Sequence, residues 1–324
     1  MNAHTLKSWL SRQAGASVVT TIEALAIAAT EITAAIYRAP VANQLGGLAQ
    51  QNVQGEEQKQ LDVICDEIMT RALLKNPHVA AMVSEEIEDI ILNEAAVPDA
   101  NLAVCFDPLD GSSNIESNGT IGSIFSILAL ENTTAPITPD TILQAANQQV
   151  AAGYFLYGPS TLLVLTTGKT VAMFALSAGM FVLVRESISI QETTNEFAIN
   201  MAYRQFWAPE TTRYIDDCLL GETGPRGKNF NMRWMGSMVA DIHRIFMRGG
   251  VFIYPTLNTK TGRQGKLRFL YEVNPMAFLI ETAGGIAMSG AIRSVNMQPD
   301  NIHQRAPFAA GSKAEIVHLL GEET

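Results

Sequence analysis

Cysteine is scarce: three residues in 324, odd in number and without a C-x-x-C pair, so neither a disulfide framework nor a thiolate metal cluster is on offer. Cys65, Cys105 and Cys218 read as reduced, buried thiols of a cytoplasmic protein. Positive charge is also short, 22 Lys and Arg against 32 Asp and Glu for a net charge of −10, which argues against nucleic acid or an anionic membrane as partner. The five histidines are scattered and none forms H-x-x-x-H with a glutamate, so zinc hydrolysis is unsupported. His243, alone inside a helical pattern, reads as structural. There is no G-x-S-x-G and no Walker loop. The most apolar window, Val171 to Val184, is broken by Ser177 and Gly179 and is too short to span a bilayer. Met1-Asn2-Ala3-His4 shows no basic start followed by a long apolar stretch, so no signal peptide is expected. With 17% charged and 47% hydrophobic residues the chain has material for a large core, in one large or two closely packed domains.

What the sequence does have is the stretch Leu102-Ala103-Val104-Cys105-Phe106-Asp107-Pro108-Leu109-Asp110-Gly111-Ser112-Ser113-Asn114. A buried strand ends at Asp107, where Pro108 cannot donate to a ladder. Asp107, Asp110 and the Leu109 carbonyl offer hard oxygen ligands of the kind Mg²⁺ takes. Gly111-Ser112-Ser113 can aim backbone N–H groups at an anion. A cation site beside an anion site points to phosphate chemistry. The competing reading is an Asx-rich turn, since these are ordinary turn residues.

Around it the periodicity predicts a helix over 18–38 and another over 59–75, joined by an aperiodic Gly/Gln/Asn-rich stretch, 40–58, read as a mobile loop covering a site. Asp62 and Asp66, at i and i+4, share one side of the second helix; two such acids are ordinarily solvated surface, and Asp66 is read so. Val79–Val83 is a strand running into Ser84-Glu85-Glu86, a second strand end bearing carboxylates. Residues 121–130, 150–157, 161–167 and 170–184 read as a meandering sheet. The boundary between an N-terminal domain (1–190) and a C-terminal domain (191–324) falls in the polar stretch Ser187–Asn195. Beyond it, Ser237 is the expected N-cap of a helix to Arg248, preceded by Arg233, and Val251–Tyr254 is a strand. Lys266–Glu272 alternates as a strand whose end supplies a third carboxylate, Glu272, ahead of a helix opened by Asn274-Pro275.

Taken together, Ser84-Glu85-Glu86, D-P-L-D-G-S-S-N (107–114), N-F-N-M-R-W-M-G-S-M-V-A-D (229–241), G-K-L-R-F-L-Y-E-V-N-P-M-A (265–277) and His303-Gln304-Arg305-Ala306-Pro307 resemble class I fructose-1,6-bisphosphatases over nearly the whole length. The D-P-L-D-G-S turn is shared with the wider lithium-sensitive phosphatases; the G-K-L-R-x-L-Y-E-x-N-P segment is much more specific. The resemblance implies an α/β fold of mixed α+β layers, the α-β-α-β-α sugar phosphatase, as a homotetramer using two or three Mg²⁺ per subunit, with Mn²⁺ as a substitute. It implies metal ligation by Glu85, Glu86, Asp107, the Leu109 carbonyl, Asp110 and Glu272, and water activation by Glu86 with Asp62. It further implies a cradle for the departing phosphate at Asp110, Gly111, Ser112 and Ser113. Asn200, Tyr203, Tyr254 and Lys266 would hold the distal phosphate and sugar of fructose 1,6-bisphosphate, with Arg233 reaching in across a subunit interface.

Three departures stand out. Trp234 occupies a position where the family usually has Tyr, exchanging a phenol for an indole with one donor and no acceptor. Asn101-Leu102 replace the Lys-Tyr pair of AMP-inhibited relatives, which argues against AMP binding there. The redox-sensitive cysteine loop of chloroplast relatives has no counterpart between Glu131 and Ala152. Sedoheptulose 1,7-bisphosphate remains a rival or additional substrate, an inositol-phosphate or nucleotide phosphatase fits less well, and an inactive sugar-phosphate sensor is the reading outside enzymes.

Overall fold

The computed structural model describes residues 5–42, 44, 47–51, 57–131, 136–259 and 262–321. The chain opens with α1 (Leu6–Leu10) and α2 (Ala16–Arg38). Helix α2 is Ala-rich, with Ile22, Leu25, Ala29 and Ile32 on a buried face, and it stops before Pro40, which cannot continue it. It is the one described helix long and apolar enough to cross a membrane, but it is a core helix, with over half of that window buried in the protein. Part of the 40–58 stretch lies outside the described residues. Within it β1 (Gly47–Gln51) pairs antiparallel with β2 (Glu57–Lys59), so the expectation of an aperiodic loop is corrected to a short ladder leading into α3 (Gln60–Leu74).

The first sheet has eight strands: β3 (Val79–Ser84), β4 (Ile91–Leu92), β5 (Leu102–Asp110), β6 (Ile121–Ala129), β7 (Gln149–Tyr157), β8 (Thr161–Thr166), β9 (Val171–Ser177) and β10 (Met180–Ile188), in the order β10-β9-β8-β7-β6-β5-β3-β4. A short helix, α4 (Pro139–Ile142), lies in the β6–β7 connection. The meander is as the apolar runs imply, with the last run divided into β9 and β10 at Ala178-Gly179, both at positive φ. Only β3 and β5 run parallel. Their carboxylate-bearing ends therefore lie side by side, and the Glu85 amide donates to the Phe106 carbonyl at 3.1 Å.

The second sheet contains β11 (Glu196–Ile199), β12 (Asn231–Met232), β13 (Val251–Tyr254), β17 (Ile286–Ser289), β18 (Ile292–Arg293) and β20 (Phe308–Gly311), ordered β12-β11-β13-β20-β17-β18. Two small ladders join β14 (Leu257–Thr259) to β15 (Gly262–Gln264) and β16 (Leu267–Arg268) to β19 (Arg305–Ala306). The helices of this half are α5 (Pro209–Leu219), α6 (Met238–Arg248), α7 (Asn274–Thr282) and α8 (Lys313–Leu320).

Alternation of side chains across each strand feeds three layers of core. Phe125, Phe155 and Leu163 pack on α2 and α3. Their neighbours Ile124, Tyr154 and Val164 face α6 and α7, which lie between the sheets against Phe252 and Ala310. Phe197, Ile199 and Ile253 turn outward onto α5 and α8. The result is the expected α-β-α-β-α layering. Strands covered on both faces read as continuous apolar runs, and all nine residues of β5 are buried, its two aspartates included.

The Lys266–Glu272 strand is corrected. Only Leu267–Arg268 pairs, after which Phe269–Val273 form a π-helical turn running straight into α7. The alternation that suggests a strand instead buries Phe269, Leu270 and Tyr271 together.

Candidate active site

Where the ends of β3 and β5 meet the π-helical turn and the start of α6, a cavity of about 240 Å³ opens. Its walls include Asp62, Glu85, Glu86, Asp107, Leu109, Asp110, Gly111, Ser112, Ser113, Tyr254, Lys266 and Glu272. Every metal, catalytic and phosphate-cradle candidate read from the sequence therefore reaches one space. Asn200, Tyr203 and Arg233 do not line it. Asn200 caps a 3₁₀ turn, accepting the Ala202 amide at 3.1 Å, and Arg233 is half-exposed with its Nε 3.9 Å from Glu196.

Oxygens of Asp107, Asp110 and Glu272, all buried, lie within 4.8 Å of one another. Each is fixed by backbone or hydroxyl donors. Asp107 accepts the Leu109 amide at 2.9 Å. Asp110 accepts the Ser237 hydroxyl and the Val239 amide, both at 3.0 Å. Glu272 folds back to accept the Arg268 amide at 2.5 Å. Ser237 sits at the N-cap of α6 as expected, but its hydroxyl serves Asp110 and not the helix.

Burial pushes the Asp107 carboxyl well up from its usual range, and the charges of Glu85, Asp110 and Glu272 push it further. Burial raises Asp110 to about 6 against the opposing donors of α6. Packed carboxylates of this kind are stable as anions only beside a cation. Their oxygen-only, partly convergent set, with Leu109 in the same wall, fits a hard divalent ion such as Mg²⁺ or Mn²⁺.

Asp62 and Asp66 correct the expectation of a solvated helix face: both are buried. Asp62 accepts the Lys59 amide at 2.7 Å and is raised to about 7, chiefly by burial, with the Glu86 charge adding to it. That places a proton acceptor near neutrality at the cavity wall. Asp66 does not line the cavity; it takes the hydroxyl of Ser84, tying α3 to the end of β3.

Gly111 adopts a left-handed φ of +80°, and a Cβ there would lie 2.6 Å from Ser237 Cβ, so glycine is required on both counts. The opposite wall is aromatic. Trp234 stacks on Phe252 with centroids 5.9 Å apart and planes at 7°, and leans on Tyr254, over whose ring Lys266 Nζ sits at 5.8 Å. Arg268 is the wall residue that sequence reasoning missed: it is buried, with Nε 3.2 Å from Glu85. A lone arginine in an alternating run carries no local mark of such a role. Six carboxylates against Lys266 and Arg268 leave the cavity anionic, so an anionic substrate enters only with cations present.

A layered α/β fold that gathers six carboxylates around the Gly111-Ser112-Ser113 turn, with Lys266 in the aromatic wall, fits the class of phosphoric monoester hydrolases. Family models agree: residues 6–186 match the fructose-1-6-bisphosphatase N-terminal domain and residues 190–321 its C-terminal domain. The chain is similar to Leishmania major fructose-1,6-bisphosphatase in holo form, at 33% identity and a TM-score of 0.92 over 99% of each chain. The apo form of the same enzyme matches at 30% identity and 0.86, again over 99% of each chain. The protein belongs to the fructose-1,6-bisphosphatase family.

Proposed function

We propose that this cavity hydrolyses the 1-phosphate of fructose 1,6-bisphosphate, releasing fructose 6-phosphate and phosphate. The observation that carries the reading is the convergence of Asp107, Asp110 and Glu272 within 4.8 Å, beside the Gly111-Ser112-Ser113 cradle in the same cavity. Glu85, Glu86, Asp107, the Leu109 carbonyl, Asp110 and Glu272 are the ligands for two or three Mg²⁺ per subunit, or Mn²⁺ in their place. Ions held there would supply neutralisation of phosphate charge and a more acidic bound water.

The chain's own groups do the rest. Gly111, Ser112 and Ser113 hold the phosphate being removed in line with attack. Glu86 and Asp62 orient the attacking water, and Asp62 takes its proton, its carboxyl being raised to about 7 by burial. Tyr254 and Lys266 fix the distal phosphate and sugar, joined by Asn200 and Tyr203, and by Arg233 from a neighbouring subunit of a homotetramer. Cytoplasmic residence is in keeping with three buried, unbridged cysteines. Asn101 and Leu102 lie at the start of β5, away from Asp107, and offer AMP neither a cation nor a ring.

The test is phosphate release from fructose 1,6-bisphosphate and from sedoheptulose 1,7-bisphosphate, each with Mg²⁺, with EDTA and with AMP. The expected result is Mg²⁺-dependent release from the fructose ester, unaffected by AMP. Preference for the seven-carbon ester would reassign the substrate. Binding without release would make the protein a sensor.

A further inference from the structure

The turn 233–237 that carries Trp234 and Gly236 into the cavity wall is held by side chains of α6 that do not themselves reach the cavity. Asp241, with no solvent exposure, accepts the Met235 amide at 3.1 Å and the Gly236 amide at 3.3 Å. Arg244, one turn further along α6, donates from Nη2 to the Arg233 carbonyl at 3.1 Å. Its other terminal nitrogen, Nη1, lies 2.5 Å from Oε2 of buried Glu196, the first residue of β11. The second Glu196 oxygen faces Arg248 at 3.2 Å and Arg233 at 3.9 Å. Three arginines thus surround one buried carboxylate: Arg233 approaches it from within the turn itself, while Arg244 bonds both to it and to the turn's backbone carbonyl. A guanidinium can serve both partners at once because its donors form a rigid planar fork, which an ammonium lacks.

We propose that Arg244, fixed by Glu196, is a positioning residue for the sugar-binding wall: it holds the 233–236 turn so that Trp234 lies flat against Phe252. The inference rests on the reading of the cavity as a sugar-bisphosphate site. Arg244 touches no reacting atom; it acts through the placement of the indole, so its loss weakens ground-state binding and leaves the chemistry at the carboxylates alone.

The experiment uses the full-length enzyme labelled with 5-fluorotryptophan. The ¹⁹F resonance of Trp234 is identified by its loss in Trp234→Phe, and spectra are taken without substrate. Kinetics are then run on fructose 1,6-bisphosphate with Mg²⁺. Arg244→Gln and Arg244→Lys should each move the Trp234 resonance while those of Trp9 and Trp207 stay in place. Both should raise KM about tenfold with kcat within about twofold, the pattern of lost uniform binding. An unmoved Trp234 resonance, a fall in kcat at constant KM, or full restoration by Lys would each overturn the proposal. Should Arg244→Gln not fold, Glu196→Gln provides the milder variant. It should give the same selective shift with a KM rise of about threefold, and an unmoved resonance there overturns the proposal equally. Failure of the wild type to release phosphate from fructose 1,6-bisphosphate would sink the functional reading alone, since the ¹⁹F result decides the placement of Trp234 without any substrate.

Discussion

Ser237 Oγ donates to Asp110 Oδ2 at 3.0 Å across 127 positions of sequence, so a carboxylate of the first half of the chain is oriented by the helix start of the second. The Val239 amide supports the same oxygen. Donors that orient a ligating carboxylate carry about 10- to 100-fold of metal affinity in other sites. Ser237→Ala should raise the Mg²⁺ concentration needed for half-maximal activity about tenfold, with most of the rate recovered at saturation. A Mg²⁺ titration of phosphate release checks this; an unchanged midpoint would mean that Val239 suffices.

Asp62→Asn removes the proton acceptor while keeping the side chain's shape and an oxygen for the Lys59 amide. Turnover should fall about 10²-fold or more, the usual worth of a positioned base, with KM changed only slightly. Glu86→Gln should behave alike. Steady-state kinetics at saturating Mg²⁺ measure both, and near-normal turnover in either would remove that residue from the mechanism.

Crowded carboxylates cost stability when no cation is bound. In EDTA, Glu272→Gln should therefore melt higher than wild type, since Asp107 loses one of the charges that raise its carboxyl and Gln keeps an oxygen for the Arg268 amide. With Mg²⁺ the order should reverse, and activity should be lost. Thermal melts of both proteins, with and without the metal, decide it.

His243 gives a pH dependence of defined sign. Its side chain accepts or donates to the Tyr154 hydroxyl at 2.9 Å, and burial, helped by the Arg185 charge, lowers its pKa to about 4. The unfolded chain then binds more protons than the folded one between pH 6.5 and 4, so stability falls as pH drops through that window. The raised carboxyls of Asp62, Asp110 and Asp241 act in the opposite sense, which is why the comparison must be with His243→Gln. Urea unfolding at pH 7.5 and pH 5 should show the wild type losing about 1–2 kcal/mol more than the variant on acidification. Equal losses would show that the imidazole takes up its proton as readily in the fold as in the unfolded chain.

Gly111→Ala meets both a left-handed backbone and the Ser237 side chain. The conformational part alone costs about 1–2 kcal/mol, and relief of the contact would push Ser237 off Asp110. Loss of both stability and Mg²⁺ affinity is expected, measured by denaturation and by metal titration. Stability lost with affinity intact would separate the turn from the carboxylate.

Much of this site was legible because its pieces lie at strand ends, where a run of apolar residues stops on a charge. Asp107, Asp110, Glu85 and Glu86 announce themselves that way. What stayed hidden depends on partners far along the chain. Asp66 looks solvated until Ser84 is seen against it, and Asp62 until its burial is seen. Arg268 finds Glu85 only through the fold. The Lys266–Glu272 run misled for a different reason: its alternation matches a strand, but Pro275 and the tight fold-back of Glu272 onto the Arg268 amide select a helical turn. The 3.6-residue and 2-residue periods cannot be separated over so few residues.

The bond from Ser237 to Asp110 also bears on how the enzyme is made. A nascent chain that has completed only its first sheet possesses Asp107 and Asp110 but neither Glu272 nor the donors of α6. Completion of the Asp107–Asp110–Glu272 cluster, and the orientation of Asp110 by Ser237, then wait for the two halves to dock, a long-range step that is slow to close. Recovery of metal binding after denaturation should lag behind recovery of the first sheet's backbone structure, which makes the occupied site a certificate that assembly has finished.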